Sequence, residues 1–91
     1  MPKIHVKYSG AFADAAQTRE ATYQISSSLL GGLIEHLLET HEAKFRLLML
    51  DPATGALRRG VTILVNGHRR NFDDQISDGD EVILLTPVAG G

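Results

Sequence analysis

The sequence contains no cysteine and no tryptophan, and only 5% of its residues are aromatic. Without thiols, the chain cannot form a disulfide, a thiolate metal site or a persulfide on one of its own side chains. Because aromatic residues are scarce, the core has to be built mainly from leucine, isoleucine and valine. We therefore expect a small aliphatic core and no chemistry that depends on a cysteine.

The chain also lacks a strong excess of either charge and lacks long apolar runs. Its formal net charge is −2 and its pI is about 6.0, whereas proteins that bind nucleic acids or membrane surfaces are commonly basic. Its apolar runs are much shorter than the roughly 20 residues that span a bilayer, and no secretory-type apolar stretch follows Met1. We therefore expect a cytoplasmic protein without nucleic-acid or membrane partners. The length of 91 residues predicts a single domain.

Alternating apolar and polar residues predict the first two strands, and a β-branched run and an apolar run predict two more. Asn66-Gly67 is a strong signal for a type I′ turn and joins the third strand to a short return segment over residues 68–72. Residues 11–20 show no clean period, and we interpret them as a loop. The predicted strands cover Ile4–Tyr8, Ala21–Ile25, Val61–Val65 and Glu81–Leu85.

A helical period follows the second strand. Leucine and isoleucine recur at helical spacing from Leu30 to His41, with polar residues opposite them, and Ser26–Ser28 supplies N-cap candidates. We interpret Gly31 and Gly32 as sites where the start of this helix packs closely on the sheet. A shorter helical piece is predicted over Glu42–Leu50, and its expected buried residues are Phe45, Leu48 and Met49.

This order of elements fits one small architecture, the ubiquitin-like β-grasp of the α+β class. In that fold, one main helix packs across a small mixed sheet, here with a short second helix. The helical crossover brings the first and last strands parallel at the centre of the sheet.

The last strand is apolar at every position from Val82 to Leu85. A strand covered on one face only should alternate. Either Val82 and Leu84 or Ile83 and Leu85 should therefore lie on the second face, which is either a protein-contact patch or is covered by the short helix or a loop. We take Ile83 and Leu85 as the candidate partner-binding residues.

Residues 87–91 are predicted to form an extended arm outside a domain of residues 1–86. Pro87 ends the strand because it has no N–H and restricts the residue before it. Glycine adds little to a fold, but Gly90-Gly91 makes a thin strip of backbone that can enter a narrow active site. We expect the chemistry to occur at the Gly91 α-carboxylate, and the alternative is a frayed terminus. The remaining candidate contact residues of the arm are Pro87, Val88 and Ala89.

Other polar groups give weaker signals. His36 and His41 are five residues apart, which does not place two ligands on one helix face, and solvated or packed histidines are favoured over a metal site. The acidic residues near Asp78 fit turn chemistry better than a calcium loop. Arg58-Arg59 and Arg69-Arg70 either contact an acidic partner or are solvated. We find no catalytic triad or nucleophile elbow and predict a protein that is not an enzyme.

The second half of the chain resembles the MoaD/ThiS group of ubiquitin-like sulfur carriers. The resemblance is carried by three motifs, Val65–Gly67, Asp78–Val82 and Thr86–Gly91. It implies that a MoeB/ThiF-type enzyme uses ATP to adenylate the Gly91 carboxylate and that sulfur then replaces AMP, giving a thiocarboxylate. It also implies that a client enzyme receives the sulfur and that the carrier itself binds no cofactor. A carrier without cysteine fits this scheme because the sulfur is held at the terminus.

The resemblance leaves several branches open. Leu84–Pro87 stands where many molybdopterin-synthase small subunits have an aromatic pair and two prolines, and the chain is longer than typical ThiS proteins. Leu48–Pro52 resembles CysO-like carriers for cysteine synthesis and archaeal-type small modifiers. The client is then either a molybdopterin-synthase large subunit, with which the chain would count as part of an enzyme, or a cysteine synthase. The alternatives are a protein modifier joined to lysines through Gly91 and a β-grasp module that only binds.

Overall fold

A mixed sheet of five strands with three helices forms residues 1–86, the part of the chain that the computed structural model describes. None of these helices is long and apolar enough to cross a membrane. The strands are β1 (Lys3–Tyr8), β2 (Glu20–Gln24), β3 (Thr62–Val65), β4 (His68–Arg69) and β5 (Glu81–Leu85). The helices are α1 (Ala11–Ala16), α2 (Leu30–Thr40) and α3 (Ala43–Met49).

The strand order is β2-β1-β5-β3-β4, and this order confirms the predicted β-grasp topology. β1 and β5 are parallel neighbours at the centre, with Val6 opposite Val82. β1 pairs antiparallel with β2, and β5 pairs antiparallel with β3. Parallel neighbours require a long connection, which the helices and the β3-β4 hairpin between β1 and β5 supply.

All three helices contribute to a core on one face of the sheet. Every second residue of β1, β3 and β5 is buried, as expected for strands covered on that face only. The core is aliphatic apart from Tyr8 and two phenylalanines, Phe12 and Phe45, whose ring centroids are 5.3 Å apart. The fully buried aliphatic residues include Ile4, Val6, Leu30, Leu33, Leu37, Val82 and Leu84.

The prediction of a loop over residues 11–20 is wrong, because α1 occupies Ala11–Ala16. Phe12 and Ala15, three residues apart, form the buried side of this helix. A helix of one and a half turns is unstable alone, so packing of Phe12 on Phe45 of α3 stabilises it. Its sequence of small residues shows no helical period, and this is why it was missed.

The start of α2 differs from the prediction in its capping. The N-cap residue is Leu29, and no side chain caps the helix. Instead, the Leu30 N–H donates to the Asp74 carbonyl and the Gly31 N–H to the Phe72 carbonyl, both at 2.9 Å. A Cβ at Gly31 would lie 3.2 Å from the Phe72 oxygen, so glycine permits this approach. Gly31 therefore accommodates the loop before β5, and Gly32 accommodates the Ser27 side chain, so neither glycine packs on the sheet as expected.

The β3-β4 hairpin turns at Asn66-Gly67 with positive φ angles of 51° and 85°, as a type I′ turn requires. The Asn66 side chain accepts a hydrogen bond from the Glu81 N–H at 3.0 Å and donates to the Asp80 carboxylate at 2.9 Å. These bonds fix the start of β5 beside the hairpin. In α3, Phe45 and Met49 are buried, whereas Leu48 is only partly buried.

Candidate partner-binding face and the base of the C-terminal segment

The two sets of side chains on β5 point to opposite faces of the sheet. Val82 and Leu84 are fully buried beneath the helices, whereas Ile83 and Leu85 are partly exposed on the other face. Of the two arrangements left open by the sequence, the structure therefore has Ile83 and Leu85 on the second face. Within residues 1–86, no helix lies over that face.

Leu64 of β3 joins these residues on the uncovered face. It is opposite Ile83, and Thr62 is opposite Leu85. We call Leu64, Ile83 and Leu85 the open-face patch. Leu64 is not among the contact residues predicted from the sequence, although the two-residue period of its strand places it on the same side as Thr62. The patch lies at the centre of the sheet, and two of its three residues are on the strand that leads to the C terminus.

Charged and polar side chains border the open-face patch on its β1 side. Lys7 is opposite Ile83, and its ammonium lies 3.3 Å from the Glu81 carboxylate. The His5 ring of β1 lies 3.5 Å from the Glu20 carboxylate of β2. An apolar centre with a solvated polar border is the usual arrangement of a protein-contact surface.

The end of β5 is fixed by the segment after β1. The Ser9 N–H and the Ser9 hydroxyl both donate to the Leu84 carbonyl, at 3.2 and 2.8 Å. Gly10 has a φ of 53°, and a Cβ there would lie 2.7 Å from the Thr86 hydroxyl oxygen. Thr86 is therefore held against the body of the domain, and it is the residue from which the C-terminal segment starts.

Five of the candidate residues lie outside the described part of the chain. They are Pro87, Val88, Ala89, Gly90 and Gly91. Their roles remain predictions, as does the division of the chain into a domain of residues 1–86 and an arm of residues 87–91.

Several titratable residues of the described part form structural contacts. The Tyr8 hydroxyl lies 2.7 Å from the Tyr23 hydroxyl and 2.9 Å from Nε2 of His41. Burial and the contact with Tyr23 raise the pKa of Tyr8, and burial together with His36 lowers the pKa of His41. In residues 1–86, no group of three or more His, Asp or Glu side chains could hold a metal ion.

The acidic residues near the last turn bond to backbone amides. The Asp78 carboxylate accepts from the Lys3 N–H, and the Asp80 carboxylate accepts from the Ser77 N–H, both at 2.7 Å. These bonds hold the turn that leads into β5, which is the role the sequence predicts for them.

Comparisons with known proteins agree with this geometry. The chain is similar to three solved structures in particular. SAMP1 from Haloferax volcanii has a TM-score of 0.88 at 22% identity and shares the fold, over 98% of this chain and 99% of that one. A putative molybdopterin converting factor subunit 1 from Pyrococcus furiosus has a TM-score of 0.79 at 28% identity, over 97% and 100%. Mycobacterium tuberculosis CysO has a TM-score of 0.72 at 25% identity, over 93% and 99%.

No curated protein matches the chain. The model of the family described as ThiS, however, matches residues 6–91, which include all of β5 and the segment that follows it. The β-grasp sheet agrees with this family match. The chain belongs to the ThiS family, within the group of ubiquitin-like sulfur carriers and modifiers.

Proposed function

We propose that the chain is a sulfur carrier whose Gly91 α-carboxylate is adenylated and then converted to a thiocarboxylate. The observation that carries the proposal is the ThiS family match, which extends through residue 91. The absence of cysteine is consistent with it, because the sulfur would be held on the terminal carbonyl. The chain acts as a carrier, and the bond-making chemistry belongs to its partner enzymes.

The activation has two steps. One Gly91 carboxylate oxygen attacks the α-phosphorus of ATP, and pyrophosphate leaves to give an acyl adenylate. Hydrosulfide, delivered by a sulfur donor, then attacks the carbonyl carbon; the bond to the AMP oxygen breaks, and AMP leaves with its electron pair. A free carboxylate is a poor electrophile, so the adenylate supplies the leaving group that this substitution needs. ATP is bound by a MoeB/ThiF-type enzyme and not by the carrier.

The described residues provide the surface that a partner enzyme would bind and the point at which residues 87–91 are attached. Five residues follow Thr86, and an extended segment of that length spans at most about 17 Å. A partner that holds Gly91 in its active site must therefore bind close to the end of β5. The open-face patch begins one residue earlier, at Leu85, so Ile83 and Leu85 can contact the partner while Pro87, Val88, Ala89 and Gly90 enter its channel.

We propose that the client enzyme is a molybdopterin-synthase large subunit or a cysteine synthase. The support is the similarity to the Pyrococcus furiosus and Mycobacterium tuberculosis proteins over nearly all of this chain. The second candidate function is protein modification, in which a lysine amine of a target attacks the same adenylate. The similarity to Haloferax volcanii SAMP1, which a second crystal structure describes as small archaeal modifier protein 1, supports this candidate.

Intact mass measurement of the protein isolated from its own host, in non-reducing buffer, tests the proposal. We expect a species heavier by the exchange of one oxygen for one sulfur, and fragmentation should place the exchange at Gly91. A chain lacking Gly91 is the matched control and should show no such species while unfolding at the same denaturant concentration. Branched conjugates on lysines, without the sulfur-containing species, would instead support protein modification. A single unmodified mass, inert to ATP and the activating enzyme, would refute both.

A further inference from the structure

A second apolar surface lies beside Thr86, on the helical side of the domain. Leu47 is 51% exposed, whereas Phe45 and Met49 of the same helix are buried. Because residues two apart on a helix point in nearly opposite directions, Leu47 cannot serve the core that Phe45 and Met49 fill. A groove runs past Leu47, and its wall includes four apolar residues and one threonine, namely Ala11, Leu47, Leu48, Val61 and Thr86. We call this surface the exit groove.

Two arginines lie at the edge of the exit groove. Arg58 and Arg59 line it, and Nε of Arg58 donates a hydrogen bond to the Leu47 carbonyl. The Arg58 N–H also donates to the Met49 carbonyl at 2.8 Å, so the loop is anchored to the end of α3. Within residues 1–86, neither guanidinium forms an ion pair with a carboxylate.

The groove continues on the far side of Leu47 with one more positive and one negative side chain. Lys44 and Asp14 line this continuation, so the surface as a whole is positively charged. The chain has a net charge of −2, and the exit groove therefore differs in sign from the molecule that carries it. An apolar groove with a positively charged border is complementary to an acidic segment that contains an apolar residue.

The position of the groove identifies which partner would carry such a segment. An enzyme that holds Gly91 lies within about 17 Å of Thr86. A standard interface buries about 800 Å² on each partner, the area of a disc of roughly 16 Å radius. A footprint of that size, centred near the end of β5, reaches the exit groove because Thr86 forms part of the groove wall.

We propose that the exit groove is a second docking surface for the adenylating enzyme, separate from the open-face patch. It receives an acidic segment of that enzyme, with Leu47 in contact with an apolar side chain and Arg59 with a carboxylate. This inference rests on the proposed function, since it requires that an enzyme activates Gly91. Arg58 is bonded to the end of α3, so its replacement would also disturb the fold. Arg59 is therefore the position at which the effect of charge is tested.

Pyrophosphate exchange with the purified adenylating enzyme of the same host tests the inference. We expect L47D and R59E each to raise the KM for the carrier about tenfold with little change in kcat, as loss of a central contact does. The wild-type KM should rise with salt, and R59E should reduce that dependence. Leu29, 41% exposed at the start of α2, supplies the matched control L29D, which should leave both constants unchanged.

The possible outcomes separate the inference from the proposed function. If the wild-type chain does not stimulate exchange, the proposed function is refuted and the inference with it. If the wild type is active and both variants keep the wild-type KM, the inference alone is refuted. A lower KM for L47D would show that the groove holds the chain's own C-terminal segment, and a dimer that L47D dissociates in sedimentation would show a second copy there. Both of these results also overturn the inference.

Discussion

A comparison of Leu84 and Leu85 tests which residues of β5 stabilise the fold and which bind the partner enzyme. They are adjacent residues of one type on one strand. Leu84 is fully buried beneath the helices, whereas Leu85 lies partly exposed on the opposite face. The same substitution, leucine to alanine, removes the same atoms at both positions, so any difference in effect comes from their surroundings.

The two variants should differ most in their free energy of unfolding. Truncation of a fully buried leucine costs about 2–5 kcal/mol. For a domain of this length the total stability is about 5–14 kcal/mol, so Leu84→Ala removes a large part of it. Leu85→Ala leaves no closed cavity because its side chain borders solvent, and we expect a loss of about 1 kcal/mol or less.

Binding should show the opposite order. If Leu85 contacts the adenylating enzyme, its truncation should cost about 1–2 kcal/mol of binding free energy, which raises the KM for the carrier roughly 5- to 30-fold. Leu84→Ala should keep a nearly normal KM at a temperature where it remains folded.

Urea unfolding followed by circular dichroism, together with pyrophosphate exchange, measures both quantities on the same preparations. If Leu85→Ala loses as much stability as Leu84→Ala, the open face is covered and the assignment of faces is incorrect. If Leu85→Ala is stable and its KM is unchanged, Leu85 is not a contact residue, and the proposed role of the open-face patch fails at that position.

Three further predictions concern the supports of the fold. Gly32→Ala should lower the stability by about 1–3 kcal/mol in urea, against the gain that helix propensity alone predicts, because an added Cβ would collide with the Ser27 side chain; a more stable variant would contradict this. Burial lowers the pKa of His41, with a contribution from His36, so the unfolded chain binds this proton more readily; stability should fall as the pH decreases below the unfolded value near 6.5. Unfolding measured across pH should show a weaker dependence for His41→Phe, and an unchanged profile would refute the assignment. Asn66→Ala should cost about 1–3 kcal/mol because it removes two hydrogen bonds and places alanine at a φ of 51°, whereas Asn66→Gly should lose less; equal losses would show that the backbone angle is unimportant.

Elements with strong local signals could be predicted from the sequence. The apolar period from Leu30 to His41 predicts α2, and the structure ends that helix at Thr40. The Asn66-Gly67 turn appears where this dipeptide requires it, since asparagine and glycine tolerate positive φ. The family resemblance could be recognised because its motifs are contiguous in the sequence.

Elements that depend on distant partners could not be predicted in this way. α1 was missed because its stability comes from the contact of Phe12 with Phe45, which is far along the chain. The sequence predicts serine caps at the N-terminus of α2, but the Phe72 and Asp74 carbonyls accept the first hydrogen bonds of this helix. In both cases a tertiary contact replaces the local signal that sequence reasoning uses.

The sequence by itself determined the ThiS family, the β-grasp topology and the Gly90-Gly91 end on which the proposed chemistry depends. These features follow from local periods and contiguous motifs. Only the tertiary structure decided which face of β5 is open, that Leu64 completes the patch, and that Leu47, Arg59 and Thr86 border one groove. An all-apolar strand has no alternation to mark its buried side, so the register with β1 and β3 and the positions of the helices decide it.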